Sequence, residues 1–211
     1  LKNLIKNKCR QKCRNGCVGS HGGLLALAIQ TGFSSHWRLA MEECIKTQKE
    51  ATKWDKSFFR EAALWSLNSH DSQTKCGCVL VKHKTPLSTG YNGFIRDIDD
   101  TVLPRVRPQK YPFMIHAEAN AIYNCARLGR NTLGATAYIT AMPCLDCLQM
   151  IYQCGISEIK FTNLSNPKMN IYSQNYSQIL RLIKDKISLV YIPKKYVLFA
   201  GNIEGDEDVR D

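Results

Sequence analysis

The chain lacks any apolar run near the roughly 20 residues that a membrane-crossing helix needs. Its longest such stretch, "GLLALAIQTGF", is interrupted by Gln30, Thr31 and Gly32, so the protein reads as soluble, with no membrane partner. A basic start ahead of that stretch has the outline of a secretion signal, but no small-residue cleavage site follows it. Internal repeats and low-complexity tracts are also missing, which excludes solenoids and biased-composition segments. Cysteine, at ten in 211 residues, stays below the density of a disulfide-stapled scaffold. Acidic side chains are few, 18 against 29 Lys and Arg, for a formal charge of +11. That balance favours anionic partners: nucleotides, nucleic acid or phosphate.

What is present suits one globular domain with an extension: 44% hydrophobic and 22% charged residues can build a sizeable core. The charge is uneven. Residues 1–14 carry six Lys or Arg and no acid, whereas 204–211 carry five acids and one Arg. Setting aside these ends, at +6 and −4, leaves +9 between them. Three regions follow: a basic, Cys-containing N-terminal extension over 1–53, a domain over 54–193, and a tail over 194–211 that is acidic at its end. Several cysteines lie inside apolar strand or helix patterns, where a reduced thiol behaves as a small hydrophobe. A reducing, cytoplasmic compartment is expected, with metal binding favoured over bridging.

In the central region "SFFREAALWSLNSH" has helical spacing, with Ser57 as its N-cap. "CGCVLV" and "PLSTGYNG" read as a strand pair turning at "KHKT". "HAEANAIYNCARLG" is a helix ending at Gly129, "GATAYITA" a strand, and "CLDCLQMIYQCG" a helix stopping at Gly155. "ISEIKFTNL", "YSQILRLIKDK" and "ISLVYIP" complete the order αββαβαβαβ. The expected fold is a three-layer α/β/α with a mixed five-stranded sheet, its last two strands parallel because helices cross over between them.

His116, Cys144 and Cys147 form a set of one imidazole and two thiolates. Three protein ligands with a fourth position open is the arrangement of a catalytic zinc. Both ligand groups fall at helix starts, where the dipole and free N–H groups favour thiolate over thiol. The strand between them can bring those starts side by side. Glu118, two residues beyond His116, can then face water at the metal and move its protons without ligating. The competing readings are weaker. A structural zinc needs a fourth ligand, and a redox pair leaves His116 and Glu118 without a role.

The pattern H-x-E…P-C-x-x-C is that of the zinc nucleobase deaminases. The chain resembles the cytidine/deoxycytidylate deaminase superfamily, and within it the deoxycytidylate (dCMP) branch, from about Phe58 to Ile192. "DSQTKCGCVLV", "STGYNG", "DDTVLPRVRPQKYPFMIHAEANAI" and "AYITAMPCLDCLQMIYQCGISEIKF" carry the likeness. The resemblance implies a cytidine-deaminase-like fold, zinc (Zn2+) held by His116, Cys144 and Cys147, and Glu118 as the proton shuttle. It implies substrate contacts at Asn92 and Ala117, with Asn92 on the sugar hydroxyl, although "GYNG" also suits a plain tight turn. The implied reaction is hydrolytic deamination of dCMP to dUMP with loss of ammonia, by a homo-oligomer, with dCTP and dTTP as effectors in some members.

A 5′-phosphate needs cationic donors, and Arg105, Arg107 and Lys110 lie in the loop entering the HAE helix. The alternative for each is an ordinary solvated basic loop. Tyr111 and Phe113 are expected to pack, with stacking on the base as the alternative, while His70 and His83 are expected at the surface. Outside the resemblance, Cys9, Cys13, Cys17 and His21 recur every fourth residue. A second, structural zinc there would need the helix broken at Gly16 or Gly19, since on a continuous helix Cys9 and Cys17 lie ~12 Å apart along the axis. "LAIQTGFSSHWRLA" has a faint helix-turn-helix spacing, for which packing against a neighbouring subunit is the plainer account. The rival functions are deamination of dCTP, or of cytosine or adenine in single-stranded nucleic acid or tRNA. The basic arm mildly favours a nucleic-acid substrate, and the long insert before "HAE" argues against it.

Overall fold

The computed structural model describes residues 35–164 and 169–197. Cys9, Cys13, Cys17, His21 and the acidic end of the tail lie outside them. In chain order the elements are α1 (Ser35–Cys44), β1 (Ile45–Thr47), α2 (Lys53–Ser66), β2 (Gly77–Lys82), β3 (Thr85–Tyr91) and α3 (Ala117–Arg127). They continue with β4 (Thr136–Ile139), α4 (Leu145–Gln153), β5 (Glu158–Phe161), α5 (Met169–Ile183) and β6 (Ser188–Tyr191). The expected order αββαβαβαβ is present from α2 onward.

The sheet has six strands rather than five, in the order β1-β6-β5-β4-β2-β3. The extra strand is β1, from the stretch read as extension, which pairs parallel with β6 through Ile45 and Leu189 to Thr47 and Tyr191. With β4–β5 and β5–β6 also parallel, four of the six strands form one parallel run. β2 pairs antiparallel with both β3 and β4.

Helix α2 also starts earlier than Ser57. Thr52 is its N-cap, and a capping box links the Thr52 hydroxyl with the backbone and carboxylate of Asp55. Because Thr52 and Asp55 satisfy each other three residues apart, the helix gains a full turn ahead of the apolar run. The β2–β3 turn places His83 and Lys84 at φ 51° and 61°, the left-handed pair whose twist suits a two-residue hairpin.

Both faces of the sheet are covered. α2 packs Phe58, Phe59 and Ala62 on Val79, Val81, Tyr138, Val190 and Ile192. On the other face α1, α3, α4 and α5 close over Cys78, Leu80, Ala137, Ile139, Ile159, Phe161 and Leu189. β2 is therefore buried on alternate residues to both sides, as a central strand should be. β3 is an edge strand, and α3 blunts it: the Asn120 and Asn124 side chains donate to the Tyr91 and Thr89 carbonyls at 2.8 Å. This approach depends on Gly90, where a Cβ would sit 2.3 Å from the Ala117 carbonyl oxygen and 2.4 Å from the Ala121 nitrogen.

Candidate metal centre and active site

Two helix starts build the site. His116 is the N-cap of α3 and Cys144 the N-cap of α4, both extended, at φ −71° with ψ 156° and 173°. Neither side chain caps its own helix. Ser, Thr, Asp or Asn would do so, and the ligand-type residues found there leave their donor atoms free. Residue 147 lies in the first turn of α4, so one helix end presents both sulfurs.

His116 Nδ1 lies 3.4 Å from the Cys144 Sγ and 3.4 Å from the Cys147 Sγ. The three donor atoms are within 4.8 Å of one another. Zinc–nitrogen and zinc–sulfur bonds of about 2.0–2.1 and 2.3 Å at a tetrahedral angle put N and S roughly 3.6 Å apart. The set therefore fits zinc in size and in donor chemistry. It is the one such group among the described residues.

The electrostatics suit the same use. The Cys144 thiol is pulled down to about 4 by the hydrogen bond it shares with Cys147, against its own burial and with help from His116. Cys147 is raised by holding the proton of that bond, and by burial. Glu118, 5% exposed in the first turn of α3, is pushed above the usual carboxylate range by burial, while His116 pulls the other way. A carboxyl whose proton affinity is raised in this way is suited to take up a proton and pass it on. Beside it, burial and the Glu118 charge push Cys76 up to about 12, so this thiol stays protonated. Thr140 fixes it, donating to Cys76 Sγ at 3.3 Å and accepting the Gly77 N–H at 3.0 Å.

The α4 start is braced from behind. The Tyr176 hydroxyl donates to the Pro143 carbonyl at 3.0 Å, and Met142 N–H donates to the Asn163 carbonyl at 2.8 Å. Tyr176 in turn meets Trp37 of α1 edge-on, with ring centroids 5.1 Å apart.

The expected substrate contacts separate into three kinds. Ala117 is fully buried beneath the α3 start. Asn92 is buried, with its carboxamide engaged: Oδ1 accepts the Cys76 N–H at 2.6 Å, and Nδ2 donates to the Thr74 carbonyl at 2.8 Å and to Asp71 at 3.3 Å. One Oδ1 lone pair remains. Lys110 is 2% exposed and its ammonium sits 2.5 and 2.6 Å from the two Asp71 oxygens. The structure thus corrects its reading as a phosphate donor, because its charge is already neutralised inside the protein. Arg105 is exposed. Arg107 hydrogen-bonds Thr74 Oγ1 through one terminal nitrogen and donates its backbone N–H to Gln73 Oε1 at 2.9 Å. Its Nε is buried without a partner, and no described carboxylate lies within 4.0 Å.

Tyr111 and Phe113 are 36% and 41% exposed rather than packed inside. His70, expected at the surface, is tucked in with a 10% exposed side chain, 3.2 Å from Asp100 and against Phe94. Sequence reasoning missed Asp71, Thr140 and Tyr176. Asp71 had a local signal, since an Asp two residues before a polar pair commonly accepts their N–H groups. It does so here from Gln73 and Thr74, at 2.8 and 3.1 Å. Thr140 and Tyr176 had none.

Comparison with known proteins bears on the same residues. The sequence model described as the cytidine and deoxycytidylate deaminase zinc-binding region matches residues 52–163. A protein of Aliivibrio fischeri called an uncharacterized deaminase is 36% identical over 108 residues, which covers 51% of this chain and 71% of that one. Human deoxycytidylate deaminase is 32% identical over 127 residues, covering 57% and 70%. A probable deoxycytidylate deaminase of Caenorhabditis elegans is 39% identical over 111 residues, covering 49% and 54%. Among solved structures, the dCMP deaminase of cyanophage S-TIM5 in complex with dCMP and dUMP superposes with a TM-score of 0.53 at 23% identity. That match covers 67% of this chain and 98% of the other, and shows the shared fold.

Proposed function

Because the chain belongs to the cytidine and deoxycytidylate deaminase family, we propose that it hydrolyses dCMP to dUMP and ammonia. The observation that carries this reading is the 3.4 Å spacing of His116 Nδ1 from both cysteine sulfurs, with the buried Glu118 carboxyl in the adjoining turn.

His116, Cys144 and Cys147 would hold zinc, which would supply the Lewis acidity that readies a water for attack at C4 of the cytosine. Glu118 takes a proton from that water and delivers it to N3. It takes a second proton as the C4 oxygen becomes the carbonyl and passes it to the amino group, the C4–N bond breaks, and ammonia leaves. The raised affinity of Glu118 for a proton serves the accepting steps, and the partial positive charge of the α3 start, which favours the carboxylate, eases the proton's return.

For the 5′-phosphate the structure favours one cation over the other two. Arg107 is partly buried at the loop facing 73–74, lacks a carboxylate, and keeps an unpaired Nε. A phosphate oxygen would complete it. The free lone pair of Asn92 Oδ1 is the acceptor left for a sugar hydroxyl. The same reading includes a homo-oligomer, regulation by dCTP and dTTP, and a reducing cytoplasmic setting. The seven described cysteines are all free thiols, and no described helix is long and apolar enough to cross a membrane.

The test is a product assay on zinc-loaded protein with dCMP, dCTP, deoxycytidine, CMP, a cytosine-containing single strand and an adenosine-containing tRNA stem-loop, with Glu118→Ala as blank. Conversion of dCMP well above the others, absent in the blank, supports the reading. Arg107→Ala should lower kcat/KM for dCMP by roughly ten- to a hundredfold, from a charge-assisted pair worth about 1.5–3 kcal/mol. Arg105→Ala should change it little. Turnover of dCTP or polynucleotide alone would overturn the substrate assignment.

A further inference from the structure

Asp71 and Lys110 form a buried ion pair that the deamination chemistry does not use. Both side chains are 2% exposed. Asp71 also accepts the Gln73 and Thr74 N–H groups through Oδ1 and the Asn92 carboxamide through Oδ2. One carboxylate therefore joins three separate pieces of chain: the lead-in to β2, the end of β3, and the insert that runs from β3 to α3.

Each partner reaches the mouth of the site by a short path. Gln73 and Thr74, whose N–H groups Asp71 fixes, hold Arg107 through its backbone N–H and its guanidinium. Asn92, oriented by Asp71 and Thr74, receives the Cys76 N–H beside the Glu118 pocket. The Lys110 carbonyl accepts the Met114 N–H at 3.1 Å, and the next residue pairs with Gly93 through two backbone bonds of 2.8 and 3.0 Å, immediately ahead of His116. A buried pair removes two charges from water, which is costly. Hydrophobic residues could hold a loop at less cost, so the directional bonds from this carboxylate are the reason to look for a positioning role.

We propose that Lys110 and Asp71 are a positioning pair that fixes Arg107 and Asn92 for the phosphate-bearing end of the substrate, without touching the substrate. This rests on the dCMP reading. The pair sets discrimination between dCMP and deoxycytidine, which differ by the phosphate.

The experiment measures kcat/KM for both substrates in zinc-loaded wild type, Lys110→Met, Asp71→Asn and the double variant, together with amide hydrogen exchange. The expected result is that the dCMP-to-deoxycytidine ratio falls at least tenfold in all three variants. Exchange at 73–74 and 105–110 should accelerate in the same proteins. A merely structural role lowers both substrates together by the folded fraction and leaves the ratio unchanged, which overturns the proposal. If Lys110 bound phosphate directly, Asp71→Asn would release it, the ratio would hold or rise, and the proposal would fail. The double variant leaves no unpaired buried charge, so a wild-type ratio in that folded protein is equally fatal. Wild type that ignores dCMP sinks the substrate reading alone. The pair is then judged by exchange, and unchanged exchange in every variant refutes it.

Discussion

Gly90→Ala is the sharpest test of how the fold sets the site. The added Cβ would stand 2.3 Å from the Ala117 carbonyl oxygen, 2.4 Å from the Ala121 nitrogen and 3.0 Å from the Ala121 Cα. These are backbone atoms of the first two turns of α3, so no side chain can swing away. Restoring ordinary contact of about 3.4 Å moves the helix start by roughly 1 Å. Overpacking of this kind costs about 1–3 kcal/mol, which for a chain this size lowers the thermal midpoint by roughly 2–12 °C. The catalytic cost is larger. Glu118 rides on the displaced turn and His116 occupies its N-cap position, and a 1 Å misplacement costs about a hundredfold in rate. Gly129→Ala is the control: at φ 63° an Ala is strained by about 1–2 kcal/mol, yet nothing lies within 4 Å of its Cβ. Steady-state kinetics with dCMP, circular-dichroism melts and zinc content per chain should separate the two. Gly90→Ala loses activity far beyond its melting shift, and Gly129→Ala loses only stability. Wild-type kcat in Gly90→Ala would refute the argument that this contact holds the helix in place.

Removing zinc with a chelator should abolish turnover and lower the melting midpoint, because an ion that binds only the folded chain stabilises it by mass action; calorimetry with and without added zinc reads this directly. Tyr176→Phe orphans the Pro143 carbonyl, at about 1–3 kcal/mol. It should speed zinc loss to a chromogenic chelator about tenfold or more, since the brace of a ligand loop tunes its affinity. Burial alone would raise Asp55, but hydrogen bonds from Lys160 and Thr52 hold it below the usual carboxylate range. Its folded pKa is depressed, so its stabilisation is present above the unfolded value near pH 4 and is lost as pH falls through the folded value. Asp55→Asn should therefore be less stable at pH 7 and flatten the acid limb of a urea-midpoint titration below about pH 4.

Much of this molecule was legible from short-range pattern. The strands and helices from α2 onward announce themselves by period, and the His116, Cys144 and Cys147 set by ligand type and spacing. β1 was not legible. It is three residues long, too short for any alternation, and its strand character comes from the β6 edge it pairs with. Arg105, Arg107 and Lys110 look alike as text. Only the fold distinguishes them, because the carboxylate that claims Lys110 lies 39 residues earlier in the chain. Asn92 reads in the sequence as a turn or a sugar contact, and nothing there shows that its carboxamide also ties the end of β3 to residues 71–76. Interactions set by distant partners leave no trace at their own positions.

The α1–β1 unit has a practical consequence for where this domain can be cut. Family similarity begins at residue 52, which invites a truncated expression clone starting there. Such a clone would strip the parallel partner from β6 and leave its ladder groups open to pairing with another chain. It would also uncover Tyr176, now wholly shielded beside Trp37, and with it the support beneath the cysteine loop. A protein begun near residue 35 should be handled as an ordinary monodisperse sample, whereas one begun at residue 52 should precipitate or lose its metal.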